Sequence, residues 1–555
     1  MASTPTTKSQ VQAYRFVLRR MESALVRKDA VMLHDPMGTH KRATVTGIIV
    51  ALTGLLGFLI WAVLSPDPAL PSKGIVIAKP SGQVYVVNEN PHELIPVFNV
   101  ASAKLLLMAT NSQSASGSSG SGTAASSSSS DLLNSVTVVS DSQVAGIPMG
   151  RLEGIPDGPP ALPNPASSPT TWAVCDDIQY RTDMPTSSAQ QGVQTYVLAG
   201  VPNLGKQLPD ADTAYVAGPD GNRYLIYARQ HNVNNQNDSD VRALVDTKNS
   251  ALMTALGLNT VQPRQISTAL LNTIPYVGEI TDPMSQYIGE TATVPGLPVS
   301  PGLPFKVQRA TSSYDYYIAL PNGVEKVSES VAEIARYANS GGSANIQAVA
   351  PDEVDNLPQL TNDPLGVALY PGNVTADGQI AAGTDKVMCL QWSADYTNPN
   401  QPIARTSVFL NTTLALPADK SSSTGQMVPL QIGTPSPSGV KIDYFLMNSP
   451  AVGDGLAVHG ATNPGEFSNG PIYLVTARGV TYSIPNLQTA QGLGVASTTG
   501  PQYGLWPGPQ SIISLLPASA QDLSTQSAQR TFDTLQVPGS AGQYAPPTTA
   551  TAGGQ

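Results

Sequence analysis

Two cysteines and five histidines in 555 residues leave little material for a metal centre. His34, His40, His92, His231 and His459 are scattered, and no Cys/His cluster has ligand spacing, so neither metal nor cofactor is expected. Charged residues make up only 12% of the chain and the net charge is −10, which argues against nucleic acid as a partner and against charge-laced helical bundles. Aromatics, at 6%, are too few to make a glycan receptor built on aromatic strands the leading reading. The HExxH, GxSxG and GxGxxG signatures are missing, which removes the commonest zinc-hydrolase, serine-hydrolase and dinucleotide readings. Long hydrophobic runs are absent too, with one exception.

That exception is TVTGIIVALTGLLGFLIWAVL, residues 44–64, without a charge. About 20 apolar residues at about 1.5 Å per residue cross a bilayer core of roughly 30 Å. A cleavable signal would have a shorter apolar run and a shorter basic head, so the segment is expected to be a retained anchor, with Trp61 at the interface. Residues 1–42 carry eight Lys and Arg (Lys8, Arg15, Arg19, Arg20, Arg27, Lys28, Lys41, Arg42) against Glu22, Asp29 and Asp35, a balance of +5. By the positive-inside rule the N-terminus lies in the cytoplasm and the bulk of the chain outside the membrane. The outer region is rich in turn formers, with 48 Pro and 48 Gly in the whole chain, and reads as short strands joined by turns.

Within the head, TKSQVQAYRFVLRRMESALVRKD places Val11, Tyr14, Leu18, Met21 and Leu25 at helical spacing, with Arg19, Arg20 and the other cations on the remaining faces. This predicts an amphipathic basic helix capped at Thr7 or Ser9, whose apolar stripe covers either anionic lipid or a partner protein.

Outside the anchor, four related units stand out. IVIAKPSGQVYVVNENPHELIPVFNVASAKLLL is the first, and units beginning near Tyr224, Tyr316 and Tyr473 follow at uneven intervals, each read as strand, turn, strand and helix. Leu256-Gly257-Leu258 and Leu493-Gly494-Val495 both close a helix ahead of a second apolar run, LLNTIP or IISLLP. Cys175 and Cys389 fall in the insertions between these units. Two thiols outside the cytoplasm are expected to be bridged, and closing a loop of that length stabilises by about 5 kcal/mol in the chain-entropy model. SQSASGSSGSGTAASSSSSD reads as a flexible linker, as does the terminal VPGSAGQYAPPTTATAGGQ.

Only YVLAGVPNLGKQLPD hints at catalysis. Gly200, Gly205 and Lys206 have the spacing of a phosphate-binding loop, but Gln207 stands where a Ser or Thr is needed, and Pro209 disfavours the following helix. A turn is the better reading, so no catalytic residue is expected. The acidic pairs Asp176-Asp177 and Asp352-Glu353 read as solvated turns.

In this order the features resemble the EccB family of type VII (ESX) secretion systems. The matching parts are QVQAYRFVLRRMESALVRKDAVMLHDP, the anchor, the first unit, GIPDGPPALP, WAVCDD, ALGL with ALLNTIP, MCLQW, and PIYLVTARGVTYSIP with SIISLLP. The resemblance implies an α+β chain: a single transmembrane helix plus an elongated extracytoplasmic domain of four small strand-strand-helix repeats around a central, mainly β domain, with Cys175 bridged to Cys389. The expected boundaries are a cytoplasmic helix and linker at 1–42, the transmembrane helix at 43–64, repeat 1 at 65–109, a Ser/Gly-rich loop at 110–132, the central domain at 133–219 and 346–440, repeats 2, 3 and 4 at 220–280, 281–345 and 441–535, and a tail at 536–555. The resemblance also implies EccC-, EccD- and EccE-like partners, self-association through the periplasmic domain, contact with a mycosin protease, and a docking role for the helix bearing Tyr14, Leu18, Arg19, Arg20, Met21 and Leu25. Members of the family have been labelled ATPases, so an envelope nucleotide hydrolase using Lys206 is the alternative function.

Overall fold

The computed structural model describes residues 7–28, 36–64, 68–89, 91–116, 136–163, 171–180, 190–229, 239–284, 287, 295–310, 313–340, 342, 344–372, 374, 385–395, 403–419, 425–448, 455–462, 467, 469–498 and 504–532. The chain divides into two compact units, Met1–Ala69 and Leu70–Gln555. The serine-rich stretch from 117 onward and the terminal tail lie outside the described residues.

The first unit holds α1 (Lys8–Arg27) and α2 (Pro36–Leu64). Helix α1 starts where its cap predicts: Thr7 is extended, and its N–H donates to the Gln10 side chain at 3.0 Å. It ends as Lys28 turns left-handed and its N–H reaches the Ala24 carbonyl. Within α2, Arg42–Trp61 is long and apolar enough to cross a membrane. The hydroxyls of Thr46 and Thr53 donate to the Arg42 and Ile49 carbonyls at 2.8 Å, so these polar groups are satisfied inside the helix. Phe58 and Trp61 on this helix are 80% and 74% exposed.

Among the described residues the second unit is β-rich, with five sheets. The first sheet contains β1 (Gly74–Lys79), β2 (Val84–Asn88), β3 (Glu93–Val97) and β4 (Val136–Ser140) in the order β3-β2-β1-β4. Helix α3 (Val100–Ser116) connects β3 to β4, and β4 returns parallel to β1. Such a parallel return needs a crossover, which the helix supplies.

The largest sheet is assembled from distant parts of the chain: β5 (Thr171–Tyr180), β6 (Gln190–Ala199), β7 (Lys206–Gln207), β17 (Val387–Asp395), β18 (Ile403–Asn411), β19 (Leu430–Gln431) and β20 (Tyr444–Met447), ordered β19-β20-β6-β5-β17-β18-β7.

The second small sheet has β8 (Thr213–Ala217), β9 (Arg223–Ala228), β10 (Asp240–Val245), β11 (Arg264–Gln265) and β12 (Tyr276–Ile280), ordered β11-β8-β9-β10-β12. The third has β13 (Pro304–Ala310), β14 (Ser313–Leu320), β15 (Gly323–Val327) and β16 (Gln347–Val349), ordered β15-β14-β13-β16. The fourth has β21 (Leu456–Ala461), β22 (Ile472–Val475), β23 (Thr481–Ile484) and β24 (Trp506–Pro509), ordered β23-β22-β21-β24. In each small sheet three antiparallel strands precede a helix, and the next strand returns parallel to the first.

Three strands before the helix is one more than the sequence reading of strand, strand, helix. The missed strand is the first in three sheets: TAYVA, PFKVQRA and LAVHGA are short or poor in bulky apolar residues. In the first sheet the missed strand is ELIPV, whose Pro96 argues against a strand from sequence alone. Sheet membership also differs from the expected boundaries. Strand β4, inside the expected central segment 133–219, pairs with β1; β8 and β16 lie outside 220–280 and 281–345; and β20, inside 441–535, belongs to the seven-stranded sheet. These pairings depend on contacts distant in sequence, which local patterning does not encode.

The short helices Thr268–Thr273 and Gln510–Ile513, from LLNTIP and SIISLLP, lie against β5 of the seven-stranded sheet. Their Leu270, Leu271, Ile512 and Ile513 share one buried core with Trp172, Val174, Met388 and Val408 of that sheet. Helix α3 brings Ala101 and Leu105 into a second core with Leu474, Tyr482, Leu493 and Leu523, joining the first and fourth sheets.

Candidate functional site

Cys175 and Cys389 stand directly opposite each other on the antiparallel neighbours β5 and β17 and are joined in a disulfide. Both are buried, among Ala173, Leu198, Val387 and Leu446. The bridge fastens strands separated by 214 residues at the middle of the largest sheet.

The phosphate-loop spacing has a structural explanation. Gly200, at φ +74, donates its N–H to the Thr171 carbonyl at 2.8 Å and turns the chain out of β6. Gly205, at φ +123, lies so near β18 that an added Cβ would sit 2.5 Å from the Leu410 carbonyl oxygen. Lys206 begins β7, exposed at the sheet edge and paired with Leu410. Strand, Pro209 and a turn follow, so the helix N-terminus that would cradle a phosphate is not supplied at this position.

On α1, Tyr14, Leu18, Met21 and Leu25 are 67%, 41%, 57% and 80% exposed, with Arg20 exposed and Arg19 partly so. The helix therefore presents an apolar stripe among cations, as its periodicity predicts.

One sequence reading is corrected. Asp176 is no solvated turn residue: it lies on β5 with 0% exposure. Its carboxyl accepts from the Ser267 N–H at 2.6 Å, the Ser267 hydroxyl at 2.7 Å and the Thr195 hydroxyl at 2.9 Å. Burial pushes its pKa up to about 6, against the opposing pull of these hydrogen bonds and Arg264. Ser267 caps the helix Thr268–Thr273, so Asp176 ties the second sheet's helix to the largest sheet. Asp240 makes a second tie, accepting from the Val408 N–H of β18, and burial raises it to about 6 with Asp210 adding to the rise. Arg264 makes a third, donating to the Lys386 carbonyl at 2.5 Å and to that of Asp385. Asp352 and Glu353 are exposed in the first turn of the helix Pro351–Asp355, where carboxylates suit the helix dipole. Sequence reasoning missed Asp240 and Arg264; in NDSDVRALV and QPRQIS nothing separates a buried charge from a loop charge.

Among the described residues, no group of three or more His, Cys, Asp or Glu side chains is arranged to hold a metal. What the arrangement does is mechanical: it closes a large β-rich unit on itself and leaves two helices with uncovered apolar surface.

A family model described as "Type VII secretion system ESX-1, transport TM domain B" matches residues 3–537. The chain is 26% identical over 543 residues to "ESX-1 secretion system ATPase EccB1" of Mycobacterium tuberculosis, covering 96% of this chain and 95% of that protein. It is 28% identical over 521 residues to "ESX-3 secretion system ATPase EccB3" of Mycolicibacterium smegmatis, covering 92% and 87%. Among solved structures it resembles a chain of an intact ESX-5 inner membrane complex, with a TM-score of 0.61, 24% identity, and 96% and 97% coverage. It also resembles a chain of an EccB3 dimer from an ESX-3 core complex, with a TM-score of 0.59, 23% identity, and 82% and 100% coverage. These two likenesses concern the fold. With the family match spanning the apolar helix α2, the described sheets and both cysteines, the chain belongs to the EccB family of type VII (ESX) secretion proteins.

Proposed function

We propose that this protein is a structural subunit of a type VII (ESX) secretion membrane complex, building the periplasmic side of the export channel and linking it to the cytosolic motor. The observation that carries the reading is the family match over 3–537, with fold likeness to a chain of an ESX-5 inner membrane complex across 96% of this chain. The apolar helix Arg42–Trp61 fixes the subunit in the cytoplasmic membrane, with its cationic head inside and the β-rich unit outside. Helix α1 docks, through Tyr14, Leu18, Met21 and Leu25 with Arg19 and Arg20, on cytosolic parts of EccC- or EccD-like subunits. An EccE-like subunit completes the assembly, and the outer unit associates with copies of itself and with a mycosin protease. The outer unit is an elongated array of four repeats about the disulfide-closed sheet; the shared strand order of the four small sheets supports that reading.

The test is gentle detergent extraction of the tagged full-length protein, native sizing, and mass spectrometry of the co-purifying chains. Recovery at megadalton order with EccC-, EccD- and EccE-like subunits is the expected result, and recovery alone as a small species overturns the proposal. The relatives' names carry the word ATPase, so the same preparation is assayed for ATP hydrolysis with Lys206→Ala; turnover that is free of motor subunits and abolished by this change would favour the hydrolase reading.

A further inference from the structure

Strand β10, DVRALV, puts Asp240, Arg242 and Leu244 on one face of the second small sheet, because side chains alternate along a strand. Asp240 is spent on the largest sheet, but Arg242 is not. Its partner in the parallel pairing is Tyr276 of β12, the edge strand, and Tyr224 of β9 lies diagonally across, opposite Leu244. The guanidinium carbon stands over both rings, 5.2 Å from the centroid of Tyr224 and 5.1 Å from that of Tyr276. Two bonds to backbone fix the residue: its N–H donates to the Pro275 carbonyl at 2.8 Å, and Nε donates to the Ile274 carbonyl at 3.0 Å.

The cation held in this way lacks a counterion. Arg242 is half-buried, and burial lowers its pKa, so water answers only part of its charge. Among the described residues no carboxylate is in ion-pair contact with it. Asp220, whose charge acts on it, is engaged elsewhere: it accepts from the Tyr224 hydroxyl at 2.6 Å, the Asn222 N–H at 3.1 Å and Asn222 Nδ2 at 2.9 Å. The two rings favour the positive charge, but a ring face makes no use of the paired N–H groups on Nη1 and Nη2.

These features define what the site selects. A guanidinium fork that is already positioned matches a planar carboxylate through two parallel hydrogen bonds, and little side-chain freedom is lost when it binds. Tyr224 is 7% exposed and Tyr276 52%, so one wall is buried and the other is open to a ligand. The open ring offers apolar surface to a short methylene stem. Asp220, bonded to the buried wall, repels a doubly charged phosphate more than a singly charged carboxylate.

We propose that Arg242, Tyr224 and Tyr276 form a recognition site for a glutamate side chain on an acidic peptide segment of a partner polypeptide. The site does not rest on the proposed place of the protein in a secretion complex. Saturation-transfer NMR on the full-length protein in detergent tests it, with the blocked tripeptide acetyl-Gly-Glu-Gly-amide as the probe. Saturation should reach the Glu methylenes, and the corresponding Gln tripeptide should bind about tenfold more weakly. Arg242→Lys keeps the charge, loses the fork and should weaken binding of the Glu tripeptide about tenfold. Tyr276→Leu, at an exposed position, removes one wall and should weaken it about threefold; it decides the matter if Arg242→Lys fails to fold. Absence of transfer to the Glu tripeptide, equal binding of the Gln tripeptide, displacement by inorganic phosphate at the same concentration, or unchanged binding in the folded variants overturns the site.

Discussion

The junction of the first and fourth sheets and the junction of the second with the largest sheet are both buried, but they are made of different chemistry. At the first, α3 lays Ala101 and Leu105 against Leu474, Leu493 and Leu523, Met108 fits over Gly492, and Phe98 meets Phe532 edge-on with ring centroids 5.2 Å apart. At the other, Leu270 and Leu271 supply apolar contact, but position is set by Asp176, Asp240 and Arg264, each bonded to a named group across the junction. An apolar contact tolerates small slips, whereas a buried charge is satisfied in one arrangement only and is costly elsewhere. The first junction should therefore be strong and indifferent to pH, and the other position-specific and sensitive to it.

The largest effect should come from the disulfide at the middle of the largest sheet. Replacing Cys175 and Cys389 with Ala releases a loop spanning 214 residues and should cost about 5 kcal/mol, read as a lowered denaturation midpoint in oxidising buffer and no further loss on adding reductant. Next in size, Leu105→Ala opens a cavity in the core between the first and fourth sheets, where Leu105 is fully buried, and should cost about 3 kcal/mol. Because this core is apolar, that loss should be the same at pH 5 and pH 7.5. A pH-dependent loss would break the distinction between the junctions.

Much of this organisation was legible in the sequence, for reasons that also mark the limits. The α2 segment announces itself because a long uncharged run has few other uses, and α1 because its apolar residues keep the helical period. Leu256-Gly257-Leu258 and Leu493-Gly494-Val495 were readable as helix ends because a glycine at positive φ is a local requirement; φ is +64 at Gly257 and +79 at Gly494. The seven-stranded sheet was not readable in detail, since β5 and β17 are brought side by side by pairing at long range. Asp176 was misread for the same reason: its neighbours Ser267 and Thr195 are distant in sequence, and only they make burial of a carboxyl tolerable.

The polar junction carries its own pH signature. Asp240 is 4% exposed, and its pKa rises from 3.8 to about 6, so the folded state holds a proton that the unfolded state has released between those values. Its contribution is present in full below 3.8 and is lost as pH rises through about 6. Between pH 5 and pH 7.5 this one group should lower stability by about 1.4 kcal/mol, and Asp240→Asn should remove that slope. Urea midpoints at the two pH values, for the natural protein and the variant, measure it. An unchanged slope would mean that Asp240 does not report on the junction.

The smallest predicted effect probes a cation in the apolar junction. Lys104 lies on α3 and donates from Nζ to the Leu493 carbonyl at 2.8 Å, and burial lowers its pKa. The carbonyl is near the end of the helix Leu487–Leu493, where a cation is favourable, but desolvating the ammonium offsets that gain. Lys104→Met keeps the aliphatic length and removes the charge, so stability should change by less than about 1 kcal/mol at neutral pH. A loss of several kcal/mol would mean that the first and fourth sheets are also held by a specific polar tie. The contrast between the junctions would then be one of degree, with each anchored by a charge from one sheet on the backbone of its neighbour.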